Sequence, residues 1–217
     1  MITTIDKPTA LAVQFHFIPD ELILRNQWVL WSFELRDGRW TKPPFQTNGK
    51  YADIKTASTW TTFDRVREVF EAGGCDGVGF VLTEDDSFVG IDLDDCVSDG
   101  IVRPWREDQR SNKHWSKDAP DPTDIRRKMS YCELSPSAGG LRLLVRGDTS
   151  KSTKNGDFEC YSHSRYLTIT GHKLNHASSD IGSEINCEKL RLLFDHKQTP
   201  PVAELSTPPS NCLMMLC

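Results

Sequence analysis

The hydrophobic and polar positions of this chain predict mainly short strands with few helices. Gln27–Phe33, Gly77–Thr83 and Phe88–Asp94 are rich in β-forming residues and are bounded by turn-forming residues, as strands are. Apolar residues at helical spacing predict helices over Thr59–Ala72 and over Asn186–His196. This pattern is typical of an α+β fold.

Turn signals indicate how neighbouring strands connect. Glu84–Ser87 predicts a hairpin that joins the strand before it to Phe88–Asp94. Arg36–Arg39 predicts a turn into a second strand at Trp40, after which residues 40–44 leave the sheet. Phe158–Ser162 and Arg165–His172 predict a strand, a turn and another strand.

The chain divides into three segments by its patterning. Residues 1–17 have no clear periodicity and are expected to form a loose leader. Residues 18–196 hold the predicted elements, and a length of 217 residues suits one substantial domain. Residues 197–217 are rich in proline and serine, which is typical of a linker or tail.

Composition indicates the cellular compartment of the protein and the class of partner that it can bind. The net charge of -5 means that any contact with phosphate needs a local basic patch, such as Arg126–Lys128. Seven cysteines without a Cys-x-x-Cys pair or a signal peptide predict reduced thiols in a cytoplasmic protein. No apolar run approaches the roughly 20 residues that span a bilayer, so we expect no membrane partner.

Asp92 and Asp94 are the first candidate functional residues. Side chains alternate along a strand, so both carboxylates are predicted on one face, with Leu93 in the core. Their Cβ atoms would lie roughly 6.5–7 Å apart, which allows both carboxylates to share a divalent cation. The alternative is an acidic turn that merely ends a buried strand.

Three later positions add candidate chemistry. Glu159 lies between apolar strand residues, so its carboxylate needs a cation or a hydrogen-bond donor. The Ser/Gly-rich turn before Arg142 predicts either a phosphate-binding nest or a hairpin that needs glycine for geometry alone. Lys42, before two prolines, is either a solvated surface lysine or a point charge for a phosphate.

In order along the chain, six stretches resemble the primase-polymerase domain of the archaeo-eukaryotic primase superfamily, in its plasmid, phage and mobile-element branch. The stretches are Gln27–Trp31, Trp40–Pro44, Gly77–Leu82, Gly90–Asp95, Ser135–Arg142 and Arg165–His172. The resemblance covers residues 18–174.

The resemblance implies a role for each candidate residue. Asp92, Asp94 and Glu159 would be the catalytic carboxylates and would hold two Mg²⁺ or Mn²⁺ ions. Arg142 stands where many relatives have a phosphate-contacting histidine, and an arginine keeps the cation but loses any proton donation. The further nucleotide-binding candidates are Ser137, Gly140, Lys42, Arg165 and His172.

The resemblance also implies the fold, the activity and the partners. The expected fold is an RRM-like antiparallel sheet joined to an N-terminal α/β unit. The expected activity is template-dependent primer synthesis or extension from nucleoside triphosphates on single-stranded DNA, alongside a helicase domain or protein. The alternatives are a catalytically weak module that binds nucleotide or single-stranded DNA and, without specific support, a metal-dependent nuclease.

Overall fold

The described chain is an α+β structure with antiparallel sheets and few helices, as the pattern predicted. The computed structural model describes residues 6–102, 130–147, 152–155 and 158–182. Its helices are α1 (Asp20–Ile23) and α2 (Phe63–Glu71), with single 3-10 turns at Phe15–Phe17 and Ala57–Thr59. Its strands are β1 (Trp28–Trp31), β2 (Glu34–Arg36), β3 (Arg39–Thr41), β4 (Pro44–Phe45), β5 (Gly77–Leu82), β6 (Phe88–Leu93), β7 (Val97–Ser98), β8 (Ile101–Val102), β9 (Tyr131–Leu134), β10 (Leu141–Arg146), β11 (Thr153–Asn155), β12 (Phe158–Tyr161) and β13 (Arg165–Ile169).

Two sheets contain nine of these strands. The four-stranded sheet has the order β13-β5-β1-β4 and the five-stranded sheet has the order β11-β12-β6-β10-β9. All pairings within them are antiparallel. Strand β6 lies at the centre of the five-stranded sheet, so residues on either side of it can meet its side chains.

The predicted hairpin between β5 and β6 was wrong, because the two strands belong to different sheets. The turn itself is present. In it Asp86 accepts hydrogen bonds from the backbone N–H groups of Thr83 (3.0 Å) and Phe88 (2.9 Å) and from Gln27 Nε2 (2.7 Å). These bonds hold the chain at a corner, from which each strand runs into its own sheet.

Helix α2 is shorter than the predicted Thr59–Ala72. It begins after Thr62, whose side chain accepts a hydrogen bond from the Arg65 N–H and caps the helix. Trp60 therefore lies outside the helix in extended backbone. The C-terminal end agrees with the prediction, because Gly73 and Gly74 both adopt positive φ angles that side chains disfavour.

The predicted turn at residues 36–39 is confirmed by the β2–β3 ribbon, with Asp37 and Gly38 at positive φ. The expectation that residues 40–44 leave the sheet was wrong at Pro44. Pro44 and Phe45 form β4, which pairs with β1 at the edge of the four-stranded sheet. An edge strand is the place where a sheet tolerates proline.

Two apolar clusters hold these layers together. The first joins α2, both sheets and the corner at the start of β6, with Trp28, Phe63, Phe80, Phe88 and Leu144 among its buried members. The second covers the opposite face of the five-stranded sheet and includes Val89, Ile91 and Leu93. Gly90 lets the sheets approach, because a Cβ there would lie 2.3 Å from Leu167 Cδ1.

The described part of the expected leader, residues 6–17, makes contacts with the rest of the fold. The Leu11 N–H donates to the Pro136 carbonyl (2.9 Å), and the Gln14 N–H donates to the Thr170 carbonyl (2.8 Å). Phe15 packs edge-on against Phe63 of α2 at a ring separation of 5.8 Å. Apolar residues alternate with others at positions 11, 13 and 15, and this alternation places Phe15 towards α2. The sequence interpretation did not take this alternation into account.

Several predicted segments lie outside the described residues: the basic patch at Arg126–Lys128, the helix over Asn186–His196 and the tail at 197–217. Among the residues that are described, no helix is both long enough and apolar enough to cross a membrane.

Candidate active site

A row of five charged residues crosses the five-stranded sheet, one from each strand. In order they are Lys154, Glu159, Asp92, Arg142 and Glu133, and each is the direct cross-strand partner of the next. Directly opposed residues of antiparallel strands project on the same face. The sheet register therefore brings Asp92 beside both Glu159 and Arg142, as the motif order predicted.

Asp92 and Arg142 form an ion pair in which Arg142 is buried and Asp92 is partly buried. Arg142 Nη2 donates to Asp92 Oδ2 at 2.6 Å, and Arg142 is 5% exposed. Arg142 Nη1 donates to the Thr168 carbonyl and to its hydroxyl. Both terminal nitrogens are thus engaged within the protein, so the structure gives Arg142 the position of an internal anchor for Asp92 rather than of an open fork for phosphate.

Asp94 lies one residue beyond β6, in an exposed turn. Loss of surrounding water raises the pKa of its carboxyl, and the charges of Asp92 and Glu159 raise it further. The three carboxylates are therefore close enough to repel one another. Asp95 follows with a φ of 52° in the same turn, and Leu93 is buried in the second apolar cluster, as strand alternation predicted.

Glu159 is buried and forms ion pairs with two cationic side chains. Lys154 donates to Glu159 Oε1, and Arg165 Nη2 donates to Glu159 Oε2 at 3.0 Å. Burial opposes the charged form, but hydrogen bonds from Lys154 and Tyr161 and the charge of Arg165 outweigh it and lower the pKa of Glu159. The expectation that this strand carboxylate needs a cation is confirmed for these described partners.

Glu133 is a member of the row that the sequence reasoning missed. Its side chain is fully buried and accepts hydrogen bonds from the Tyr131 hydroxyl (2.7 Å) and from the N–H groups of Thr170 (3.0 Å) and Gly171 (2.8 Å). Its signal was the same as that of Glu159, an acid among apolar strand residues. Lys154 was also missed, since a lone lysine in a polar segment resembles any surface lysine.

The Ser/Gly-rich turn before β10 uses its N–H groups internally. The Gly140 N–H donates to Ser135 Oγ at 3.1 Å, and the Gly139 N–H lies 3.4 Å from Ser137 Oγ. A Cβ on Gly140 would lie 2.6 Å from the Leu93 carbonyl oxygen and 3.4 Å from Asp94 Cα. These contacts favour the hairpin alternative, with Gly140 allowing the turn to pack against the end of β6.

Lys42 is brought to the row, whereas His172 makes its contact elsewhere. Burial and the Arg142 charge lower the pKa of the Lys42 ammonium, against the opposing charges of Asp92 and Asp94. Within the described part of the chain Lys42 has no ion pair. His172 Nε2 lies 2.7 Å from the Ala12 carbonyl, and among the described residues it makes no hydrogen bond to the three carboxylates.

The row has a feature that suits a bound cation. Asp92 Oδ1 is buried and has no hydrogen-bond partner among the described residues, although a buried carboxylate oxygen normally has one. A divalent cation shared with Asp94 would satisfy this oxygen and relieve the repulsion between the carboxylates. In the arrangement described, however, no three His, Cys, Asp or Glu side chains are grouped to hold a metal ion, and cations of the protein occupy Asp92 and Glu159.

Comparison with known proteins agrees with the resemblance to primase-polymerases. Over 179 residues the chain is 35% identical to a protein of Nitratiruptor phage NrS-1 named as a DNA primase-polymerase. This similarity is to one phage protein and extends over most of the chain. The match covers 79% of this chain but 22% of the phage primase-polymerase, so the chain spans about a fifth of that relative. No protein-family model matches the sequence.

Proposed function

We propose that this chain carries the nucleotidyl-transfer site of a primase-polymerase. It would add nucleotides from nucleoside triphosphates to a 3′-hydroxyl on a single-stranded DNA template, during replication of a phage, plasmid or other mobile element. The observation that carries the proposal is the cross-strand alignment of Asp92 with Glu159, with Asp94 at the next turn. The similarity to the phage primase-polymerase supports the same activity.

Asp92, Asp94 and Glu159 would hold Mg²⁺ or Mn²⁺, two ions in the complete site. Such ions lower the pKa of an attacking hydroxyl and neutralise a triphosphate and its leaving group. Carboxylates suit these hard cations, and the unpartnered Asp92 Oδ1 is available for one.

The chain's own residues would position the reactants. Arg142 fixes one oxygen of Asp92 and leaves the other free. Lys42, Lys154 and Arg165 place three cations around the carboxylates, where they would attract and orient a triphosphate. Transfer of this kind depends mainly on positioning and charge neutralisation, which such a set of side chains supplies.

The finer architecture is part of the proposal. We assign the five-stranded sheet to the RRM-like catalytic sheet of the superfamily and the four-stranded sheet with α2 to its N-terminal α/β unit. Unwinding of the template would come from a helicase domain or protein, as the resemblance to the superfamily implies.

The test compares carboxylates that differ by one position. Incorporation of labelled nucleotide into a primed single strand with Mn²⁺ should be lost in the double variant Asp92→Asn/Asp94→Asn. Asp95→Asn is the matched control, since its positive φ tolerates asparagine and its carboxylate has no part in the proposal. Equal activity in the double variant and the control would contradict the proposal.

A second function is favoured by one observation. Asp92 and Glu159 are already paired with protein cations, and the described residues group no three metal ligands. This arrangement suits a catalytically weak module that binds nucleotide or single-stranded DNA. Such a module would bind labelled oligonucleotide but would incorporate nothing in the assay above, in wild type and variants alike.

A further inference from the structure

An exposed ribbon and loop beside the carboxylate row combine aromatic rings with unpaired cations. We define the ribbon surface as residues 34–55, which comprise β2, β3, β4 and the loop through Tyr51. Leu35 is 49% exposed and Tyr51 is 57% exposed, although both are large hydrophobic residues. The strand pair β2–β3 forms a sheet of its own, without a further strand on either edge among the described residues.

The ribbon surface is basic in an acidic chain. It contains five cations and three carboxylates, a net charge of +2, whereas the whole chain carries -5. Six described lysines and arginines have no ion pair, and four of them lie here. The four are Arg39, Lys42, Lys50 and Lys55. Cations without an ion pair are available to an anionic partner.

Aromatic rings are interleaved with these cations. Tyr51 is stacked on Phe45 at a ring separation of 5.0 Å, and the Arg36 guanidinium lies 5.5 Å from the Tyr51 ring centre. The Tyr51 hydroxyl donates to Glu34 at 2.9 Å, which holds the loop against the ribbon. Unpaired bases of a single strand stack on exposed aromatic and guanidinium planes, and nearby cations neutralise its phosphates. The ribbon surface has both features.

The ribbon surface also leads directly to the candidate site. Strand β3 ends at Thr41, and the next residue is Lys42. The charges of Asp92 and Asp94 act on the pKa of Lys42, which places its ammonium near both carboxylates. The Tyr166 hydroxyl donates to the Lys42 carbonyl and so ties this junction to β13. A single-stranded nucleic acid bound along the ribbon surface would therefore extend to the carboxylate row.

We propose that the ribbon surface binds single-stranded nucleic acid and guides it to the carboxylate row. The proposal rests on the proposed function for its direction towards the site, while the binding itself is independent of catalysis. Bases would stack on the Tyr51 and Arg36 layer, and phosphates would contact Arg39, Lys50 and Lys55.

The test measures binding of a fluorescent oligo-dT by anisotropy at several salt concentrations, in EDTA. Arg39→Ser/Lys50→Ser/Lys55→Ser should bind at least tenfold more weakly, with a salt slope reduced by about 2, since each phosphate contact on a single strand contributes roughly 0.7. Tyr51→Ala should weaken binding at least about fivefold, as expected for one lost stacking contact. The control Lys7→Ser/Arg65→Ser/Arg67→Ser removes the same charge from exposed positions outside the ribbon surface.

Three results of this binding experiment would overturn the proposal. An equal loss in the control would mean that only net charge counts, and an unchanged Tyr51→Ala would remove the stacking surface; either result overturns the proposal. Equally tight binding of a duplex through the same residues would overturn the single-strand assignment. Asp92→Asn separates the two proposals, because it should bind oligo-dT like wild type while losing incorporation. Melting temperatures identify any variant that fails to fold.

Discussion

Replacement of Arg142 by methionine should expose its role as the buried partner of Asp92. The change removes the 2.6 Å ion pair and both hydrogen bonds to Thr168. Asp92 Oδ1 has no hydrogen-bond partner among the described residues even in the wild type. The variant would therefore leave both oxygens of this carboxylate without a partner. Breaking a buried pair by removing one partner costs about 3–5 kcal/mol. That is a large part of the roughly 5–15 kcal/mol that stabilises a typical domain.

Urea denaturation gives the free energy of unfolding for the comparison. Arg165→Met is the control, because Arg165 also pairs with a carboxylate of the row but is itself exposed, and such pairs contribute about 0–1 kcal/mol. The double variant Arg142→Met/Asp92→Asn should recover part of the lost stability, since Asp92 then no longer contributes an unpaired carboxylate. A variant Arg142→Met that is as stable as wild type but binds nucleotide more weakly would refute this reasoning and make Arg142 a phosphate ligand.

Substitutions at four further positions test the contacts around the charged row. Glu133→Ala leaves three buried donors unsatisfied and should cost about 3–5 kcal/mol by urea denaturation, clearly more than Glu133→Gln; equal losses would argue against the described hydrogen bonds. Gly140→Ala should lower the melting temperature and Gly139→Ala should not, because a Cβ on Gly139 meets only Ser137 Oγ at 3.6 Å; the reverse order would be inconsistent with the turn geometry. Asp94→Asn should stabilise the metal-free protein while abolishing incorporation, since partial loss of surrounding water and the charges of Asp92 and Glu159 raise the pKa of this carboxyl; a destabilised but active variant would speak against the site. The pKa of Glu159 is lowered by its partners, so its contribution to stability is complete above the ordinary pKa of 4.5 and is lost as pH falls through the lower folded value; the stability difference between wild type and Glu159→Gln should therefore shrink at acid pH, and a difference that grows there would contradict the ion pairs.

Much of the candidate site follows from strand periodicity. The apolar run that ends in Asp92 and Leu93 predicted a strand with one side chain in the core and the other facing its neighbours, and β6 has that arrangement. Glu159 was predicted from its position on a later strand, and the register places it opposite Asp92. Period-two patterns transmit such information because they fix which face a residue occupies.

Strand partners were harder to predict than strands. Both β5 and β6 are buried on both faces, so neither sequence shows a preferred neighbour, and their short turn suggested a hairpin. One of the Asp86 hydrogen bonds at the corner between them comes from Gln27, which is 59 residues away in the chain. Long-range contacts of this kind decide the topology without leaving a local signal.

Glu133 and Arg142 show the same limit at the level of chemistry. The sequence placed Arg142 among phosphate ligands by its position in a motif, but its burial and its bonds to Thr168 depend on how β10 packs against β13. Glu133 had the same sequence signal as Glu159, but its place at the end of the charged row follows from the strand register. Residue type and spacing identify candidates, and packing decides which atoms remain free.

The most direct test of the central claim is a Mn²⁺ titration of the isolated chain, followed by calorimetry or by the electron paramagnetic resonance signal of free Mn²⁺. If Asp92, Asp94 and Glu159 form one cation site, wild type and Asp95→Asn should bind Mn²⁺ alike. Asp92→Asn and Glu159→Gln should each lose most of the affinity. Binding that survives in both variants, or that disappears in Asp95→Asn alone, would contradict a shared site on the charged row.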